Sequence, residues 1–206
     1  MTFVLLLLAA LNATAQTFTV DTIPDTVFLR MMGKSYKKGC TVSRSDLRYL
    51  RLSHYNGKGE VMTGEIICNK MIASDIKEIF QELYRAKYPI ERMQLIDDYD
   101  GDDERSMQAH NTSCFNFRAI TGSKKLSKHS QGMAIDINPL YNPCVKRRKN
   151  GSLHIQPANA RQYADRSKKH PYAIDREDLC YRLFKKHGFM WGGSWRNTKD
   201  YQHFER

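Results

Sequence analysis

Between Ser127 and Pro139 the chain reads Ser-Lys-His-Ser-Gln-Gly-Met-Ala-Ile-Asp-Ile-Asn-Pro, and no other stretch constrains the fold as much. From Met133 onward the residues alternate. Met133, Ile135 and Ile137 fall on one side and Ala134, Asp136 and Asn138 on the other, the period-two pattern of a half-buried strand. A strand that buries its Met/Ile/Ile side presents Asp136 on the opposite one. His129 lies an odd number of positions earlier, which on one continuous strand would put it on the wrong face. The Ser130-Gln131-Gly132 segment offers the turn that brings it back beside Asp136. A neutral imidazole and a carboxylate converging in this way suit a zinc ion. A surface loop running into a core strand would read the same, so the pair needs a third ligand from elsewhere.

The chain has 206 residues, enough for one domain with its own core. Hydrophobic residues make up 41% and charged ones 27%, as in ordinary soluble proteins. Met1 to Leu11 is apolar but too short to span a bilayer. Ala13-Thr14-Ala15-Gln16 follows as an A-x-A-like site, so residues 1–15 are expected to be a signal peptide. The remainder is then exported, to the periplasm or beyond the cell. No cysteine stands at that site to carry a lipid, and no later stretch is apolar enough for a membrane span. The net charge of +11 favours a polyanionic partner. For an exported chain, acidic cell-wall polymers rank above nucleic acid. Lys146-Arg147-Arg148-Lys149 is the densest basic run, and no nucleic-acid-reading motif accompanies it. The five cysteines form no C-x-x-C pair and are expected as single buried thiols.

The expected elements form a single α+β domain, a small antiparallel sheet with helices packed on it. Residues 16–100 supply an amphipathic stretch at Val27–Met32 and a hairpin, Leu47–Tyr55 with Val61–Cys68 around Asn56-Gly57. A helix follows from Ser74 to Ala86, with Ser74 as N-cap and Ile76, Ile79, Phe80 and Leu83 on one face. Met93–Ile96 reads as a strand. Residues 101–206 carry the site: a strand at Phe115–Ala119 bearing Arg118, the opening stretch, a polar loop-rich segment over 140–174, and a helix from Asp175 to His187 closed by Gly188. Between the halves runs an acidic stretch, Asp97 to Glu104. Asp98, Asp100 and Asp102 alternate as in a calcium loop, but the glycine is misplaced and Ala109 occupies the twelfth position. A solvated acidic loop beside a substrate groove is the expectation there.

The third ligand is best sought at His203. Trp191-Gly192-Gly193-Ser194-Trp195 crowds close upstream, with acids at Asp200 and Glu205. A zinc hydrolase also needs a carboxylate to take a proton from the attacking water and pass it to the leaving amine. Asp200 could do so across a tight turn, and Glu205 could do so from the same strand face. An aromatic-packed C-terminal histidine is the competing reading.

Ser127-x-His129-x-x-Gly132-x-Ala134-x-Asp136 resembles the S-x-H-x-x-G-x-A-x-D signature of the zinc D-alanyl-D-alanine peptidases. That group includes vancomycin-resistance dipeptidases and carboxypeptidases and phage L-alanyl-D-glutamate endolysins. Trp191-Gly192-Gly193-x-Trp195 followed by Asp200-x-x-His203-Phe204-Glu205 resembles the ending of the L-alanyl-D-glutamate branch. Phe117-Arg118 resembles the arginine site ahead of the first motif. The resemblance is close over 110–206 and loose over 16–100. It implies one zinc ion per chain on His129, Asp136 and His203, with Asp200 as catalytic base where the dipeptidase branch has glutamate. It implies Arg118 as the holder of an oxyanion or substrate carboxylate, Ser127 as an orienting residue at the substrate site, and Trp191, Trp195 and Tyr201 as groove walls, although core packing suits all three aromatics too. It further implies the Hedgehog/DD-peptidase fold, a monomer, and a peptidoglycan or muropeptide substrate cut at L-Ala–D-Glu or D-Ala–D-Ala. The alternative is a non-catalytic, zinc-containing cell-wall binding module.

Overall fold

A computed structural model describes residues 16–120, 123–168 and 170–206. The expected signal peptide, 1–15, lies outside the described residues. Among those described, no helix is long and apolar enough to cross a membrane.

Among the described residues, three small antiparallel sheets stand where a single one was expected. The first is built from β1 (Phe18–Asp21), β2 (Leu47–Tyr55) and β3 (Val61–Asn69), in that order. The β2–β3 hairpin forms where the sequence places it, with Leu50 opposite Ile66 and Tyr55 opposite Val61. Its connection is five residues long. The Asn56 carboxamide oxygen accepts the Lys58 and Glu60 N–H groups, and the left-handed residue is Gly59 rather than Gly57.

Both faces of this sheet are covered. Leu50, Leu52, Ile66 and Cys68 pack under α2 (Ala73–Arg85), which contributes Ile76, Ile79, Phe80 and Leu83. Leu47, Tyr49 and Ile67 meet α1 (Asp25–Met31) through Val27 and Met31. Each fully buried aliphatic or Phe side chain contributes roughly 1.5–3 kcal/mol. Ser74 is not the cap of α2. The Asn69 turn feeds the chain in one residue earlier, its side-chain oxygen accepting the Met71 N–H.

Two expected strands are extended segments without a ladder of their own. Met93–Ile96 gives one carbonyl, that of Met93, to the Glu65 N–H at 2.9 Å and then enters a 3-10 turn at Ile96–Tyr99. Phe115–Ala119 spreads its N–H groups over four partners, Asn116 donating to the His129 carbonyl at 3.1 Å. Phe115 N–H donates to the Ile67 carbonyl, Phe117 N–H to the Ser35 carbonyl, and Arg118 N–H to Ser130 Oγ. The acidic run continues into a short helix, α3 (Asp103–Gln108), which Asp102 caps by accepting the Arg105 N–H.

The remaining sheets carry the C-terminal half. One is β4 (Ala134–Asp136), β9 (His203–Glu205) and β7 (Met190–Trp191). The other is β6 (Leu153–Gln156), β5 (Cys144–Arg147) and β8 (Thr198–Asp200). The 140–174 segment, expected as loop, therefore contains a hairpin. Before β7 comes α4 (Leu179–Lys186), shorter than expected because Asp178 caps it, accepting the Cys180 N–H at 2.9 Å. Its far end closes on Gly188 at φ +80°. Gly188 N–H donates to the Lys185 carbonyl and Phe189 N–H to the Phe184 carbonyl, with the two phenyl rings in edge contact. Ile135, Ile137, Phe184, Phe189 and Phe204 join Leu50, Ile66 and Phe80 in one core. The two halves of the chain thus share their largest apolar cluster.

Candidate metal centre

Local structure brings three ligand-type side chains together. Ser127 caps a 3-10 turn, Lys128–Gln131, by accepting the His129 N–H. Gly132 ends that turn at φ +66°, in the left-handed region. A side chain there would also collide, since a Cβ would lie 2.7 Å from the Asn69 nitrogen. The turn reverses His129 toward β4, as its odd spacing from Asp136 requires. Asp136 and His203 are direct partners across the β4–β9 ladder, which places their side chains on one face.

Asp136 is only 8% exposed, so β4 is not half-buried as its alternation suggested. Its backbone is paired on both sides, with β9 and with Ser113, and the turn bearing His129 covers the second face.

The candidate ligand atoms are His129 Nε2, an Asp136 carboxylate oxygen and His203 Nδ1. His129 Nε2 is 3.3 Å from Asp136 Oδ2 and 3.2 Å from His203 Nδ1, and His203 Nδ1 is 3.0 Å from Asp136 Oδ1. Tetrahedral zinc with bonds of about 2.0–2.1 Å holds its ligand atoms about 3.3 Å apart. The donor set and its spacing fit that ion, and this is the one metal-type cluster found among the described residues.

Both imidazoles are oriented from behind. His129 Nδ1–H donates to the Cys114 carbonyl at 2.6 Å, which leaves Nε2 with its lone pair toward the site. His203 Nε2–H donates to Glu205 at 3.1 Å. Such outer partners set tautomer and ring angle in metal sites. Glu205 therefore holds a candidate ligand, and the Cys114 carbonyl does the same without any side-chain signature. Burial works against charge on both Asp136 and His203, but their mutual attraction wins. Asp136 is driven well below the usual carboxylate range by its two histidines. His203 rises to about 10 through its bonds to Asp136 and Glu205.

Asp200 stands apart from the triad. It ends β8 opposite Cys144. Its Oδ1 is buried without a hydrogen-bond partner among the described residues. Burial raises its carboxyl to about 6. Gly192 makes the close approach possible, since a Cβ there would lie 2.7 Å from the Asp200 carbonyl oxygen and 3.2 Å from His203 Cβ. The motif glycine is thus demanded by space.

Asp200 and the triad open into a cleft of about 780 Å³, also lined by Arg118, Ser127 and Trp195. The Trp195 ring centre is 5.2 Å from that of His203. Trp191 and Tyr201 do not line it. Trp191 is 6% exposed, packs edge-on against Tyr181, and donates its Nε1–H to the Tyr201 carbonyl. The Tyr201 ring lies under the Arg166 guanidinium, 4.4 Å away. The acidic run forms no calcium loop, because Asp98, Asp100 and Asp102 each have a separate partner: Arg30, Lys34 and the Arg105 N–H. All five thiols are free, those of Cys68, Cys114 and Cys180 being buried.

Residues 121–206 match a protein family described as D-alanyl-D-alanine carboxypeptidase. The matched stretch holds His129, Asp136, Asp200 and His203, begins just after Arg118, and covers less than half of the chain. It supports a hydrolase of the zinc peptidase kind and points to no particular branch. No curated protein and no solved structure matches the chain.

Proposed function

We propose that this chain is an exported zinc metallopeptidase that hydrolyses peptide bonds in peptidoglycan stem peptides, built on a Hedgehog/DD-peptidase-like fold. The observation that carries the reading is the convergence of His129, Asp136 and His203 beside a buried, unpartnered Asp200 oxygen at the foot of an open cleft. The family match supports the reaction class. His129, Asp136 and His203 would hold one zinc ion, which supplies Lewis acidity and water activation near neutral pH.

The chain's own groups do the rest. Asp200 takes a proton from the attacking water at Oδ1 and returns it to the leaving amine. Glu205 and the Cys114 carbonyl keep the imidazoles aimed. Arg118, at the cleft, offers a permanent charge to a developing oxyanion or a substrate carboxylate. Ser127 and Trp195 line the space where the peptide lies. Lys125, Lys128 and Lys146 line it too, which suits the carboxylates of a muropeptide. The bond cut is L-Ala–D-Glu or D-Ala–D-Ala.

The test is digestion of intact muropeptides by the full chain, with products read by mass spectrometry, which fixes the bond cut. Turnover should stop on chelation, return with zinc, and be absent in His203→Ala. Turnover that survives chelation or that substitution would sink the reading. Zinc and muropeptide bound without turnover would instead favour a non-catalytic cell-wall binding module.

A further inference from the structure

The acidic run reaches the cleft through Asp102, Asp103 and Glu104. Asp98 and Asp100 pair with Arg30, Lys34 and Arg105 on the far side, and Asp102 is used as the cap of α3. Asp103 turns the other way. One carboxylate oxygen accepts the Asn116 Nδ2–H at 2.7 Å, and the other is ion-paired with Arg118 Nε, which makes no hydrogen bond among the described residues. Asn116 also donates to the Gly101 carbonyl, so the carboxylate is itself held. The backbone of Arg118 is fixed from the opposite side. Its N–H donates to Ser130 Oγ at 2.9 Å and its carbonyl accepts the Ser130 hydroxyl, next in sequence to His129.

A guanidinium is a rigid planar fork of five N–H donors. With the Nε edge taken by Asp103, the Nη groups remain for a ligand. Nη1 reaches only the Ala119 carbonyl, at 3.4 Å, and Nη2 has no hydrogen-bond partner among the described residues. Both Asp103 and Arg118 line the cleft.

We propose that Asp103 is the positioning residue for Arg118: by holding the Nε edge it turns the Nη donors toward the substrate, which makes the acidic run part of the site. The inference rests on the role given to Arg118 above. A long, flexible side chain held in one orientation meets a carboxylate or oxyanion without having to be ordered during the reaction.

The test is a double-mutant cycle on the zinc-loaded full chain, using muropeptide hydrolysis. Asp103→Ala should lower kcat/KM by roughly 10- to 100-fold, the range for a partner acting through another residue. In an Arg118→Ala background it should have almost no further effect. Asp103→Glu keeps the negative charge beside Nε and should recover part of the loss. A second readout is the Arg118 Nε–H resonance in nitrogen-15-labelled protein, which should shift in Asp103→Ala and stay near its wild-type position in Asp103→Glu. Equal losses from Asp103→Ala in both backgrounds, or a resonance indifferent to it, would overturn the proposal. If wild type turns over no muropeptide, the functional reading fails instead. The same cycle is then read as muropeptide affinity by calorimetry, where an additive result again overturns the positioning role.

Discussion

Asp200 and His203 lie three residues apart and have opposite needs. Asp200 must be ionised to act as a base, and burial holds its carboxyl at about 6. A zinc ion beside it would lower that value, so the acid limb of kcat/KM is expected below it, activity rising with pH as the proton leaves. Asp200→Ala should keep its zinc by metal analysis and lose about 10²- to 10⁴-fold in kcat. His203 carries a proton at neutral pH when its partners are Asp136 and Glu205 alone, because those carboxylates raise it to about 10. Zinc binding must displace that proton. Calorimetric titrations in buffers of different ionisation enthalpy should show about one proton released at pH 7, and zinc affinity should fall as pH is lowered. The same shift bears on stability without metal. A raised histidine stabilises fully below its unfolded value of about 6.5 and loses that contribution as pH climbs through its folded value. The candidate ligands were readable from sequence because motif spacing and a strand period both constrain them. The Cys114 carbonyl was not, because backbone acceptors carry no residue signature. Trp191 was open from sequence because an aromatic beside two glycines reads the same whether it walls a groove or fills a core.

Elements were readable where one face is apolar and a specific cap or turn closes the segment. The β2–β3 hairpin and α2 satisfy that condition, and α4 ends on its glycine as expected. Its start was misplaced because Asp175 and Asp178 are both plausible caps. Only the contact of Asp178 with the Cys180 and Tyr181 N–H groups, and with the Tyr88 hydroxyl, decides between them. Asp178→Ala should cost about 1–2 kcal/mol in urea unfolding, while Asp175→Ala should cost much less. The β5–β6 hairpin was hidden because it is short and basic, with Val145 opposite Ile155 as its apolar pair over a small satellite core of Leu140, Ile155 and Ala160. At Gly192 the limit is space. Gly192→Ala pushes against the Asp200 backbone and should lower activity while costing about 1–3 kcal/mol, a combination that separates crowding from general unfolding.

Across the whole molecule, the fold class followed from the pattern of elements, but the number of sheets did not. Each strand of the C-terminal half has three or four residues or fewer, too short for periodicity to say which partner it takes. Phe204 shows how these pieces are joined. It lies between the two candidate site residues His203 and Glu205, stacks on Phe184 at 4.3 Å, and belongs to the core that reaches Leu50 and Phe80. Phe204→Ala should cost about 3–5 kcal/mol and weaken zinc retention with it. The first sheet also reaches the metal centre directly. Asn69 N–H donates to the Gly132 carbonyl at 2.9 Å, and the Asn69 side chain donates to the Gln131 carbonyl, so the end of β3 braces the turn that presents His129. A fragment cut to the family-matched residues would therefore lack the brace behind its first candidate ligand. Expressed alone it should collect as aggregate, and supplying residues 16–120 as a separate chain should restore soluble, zinc-binding material by fragment complementation.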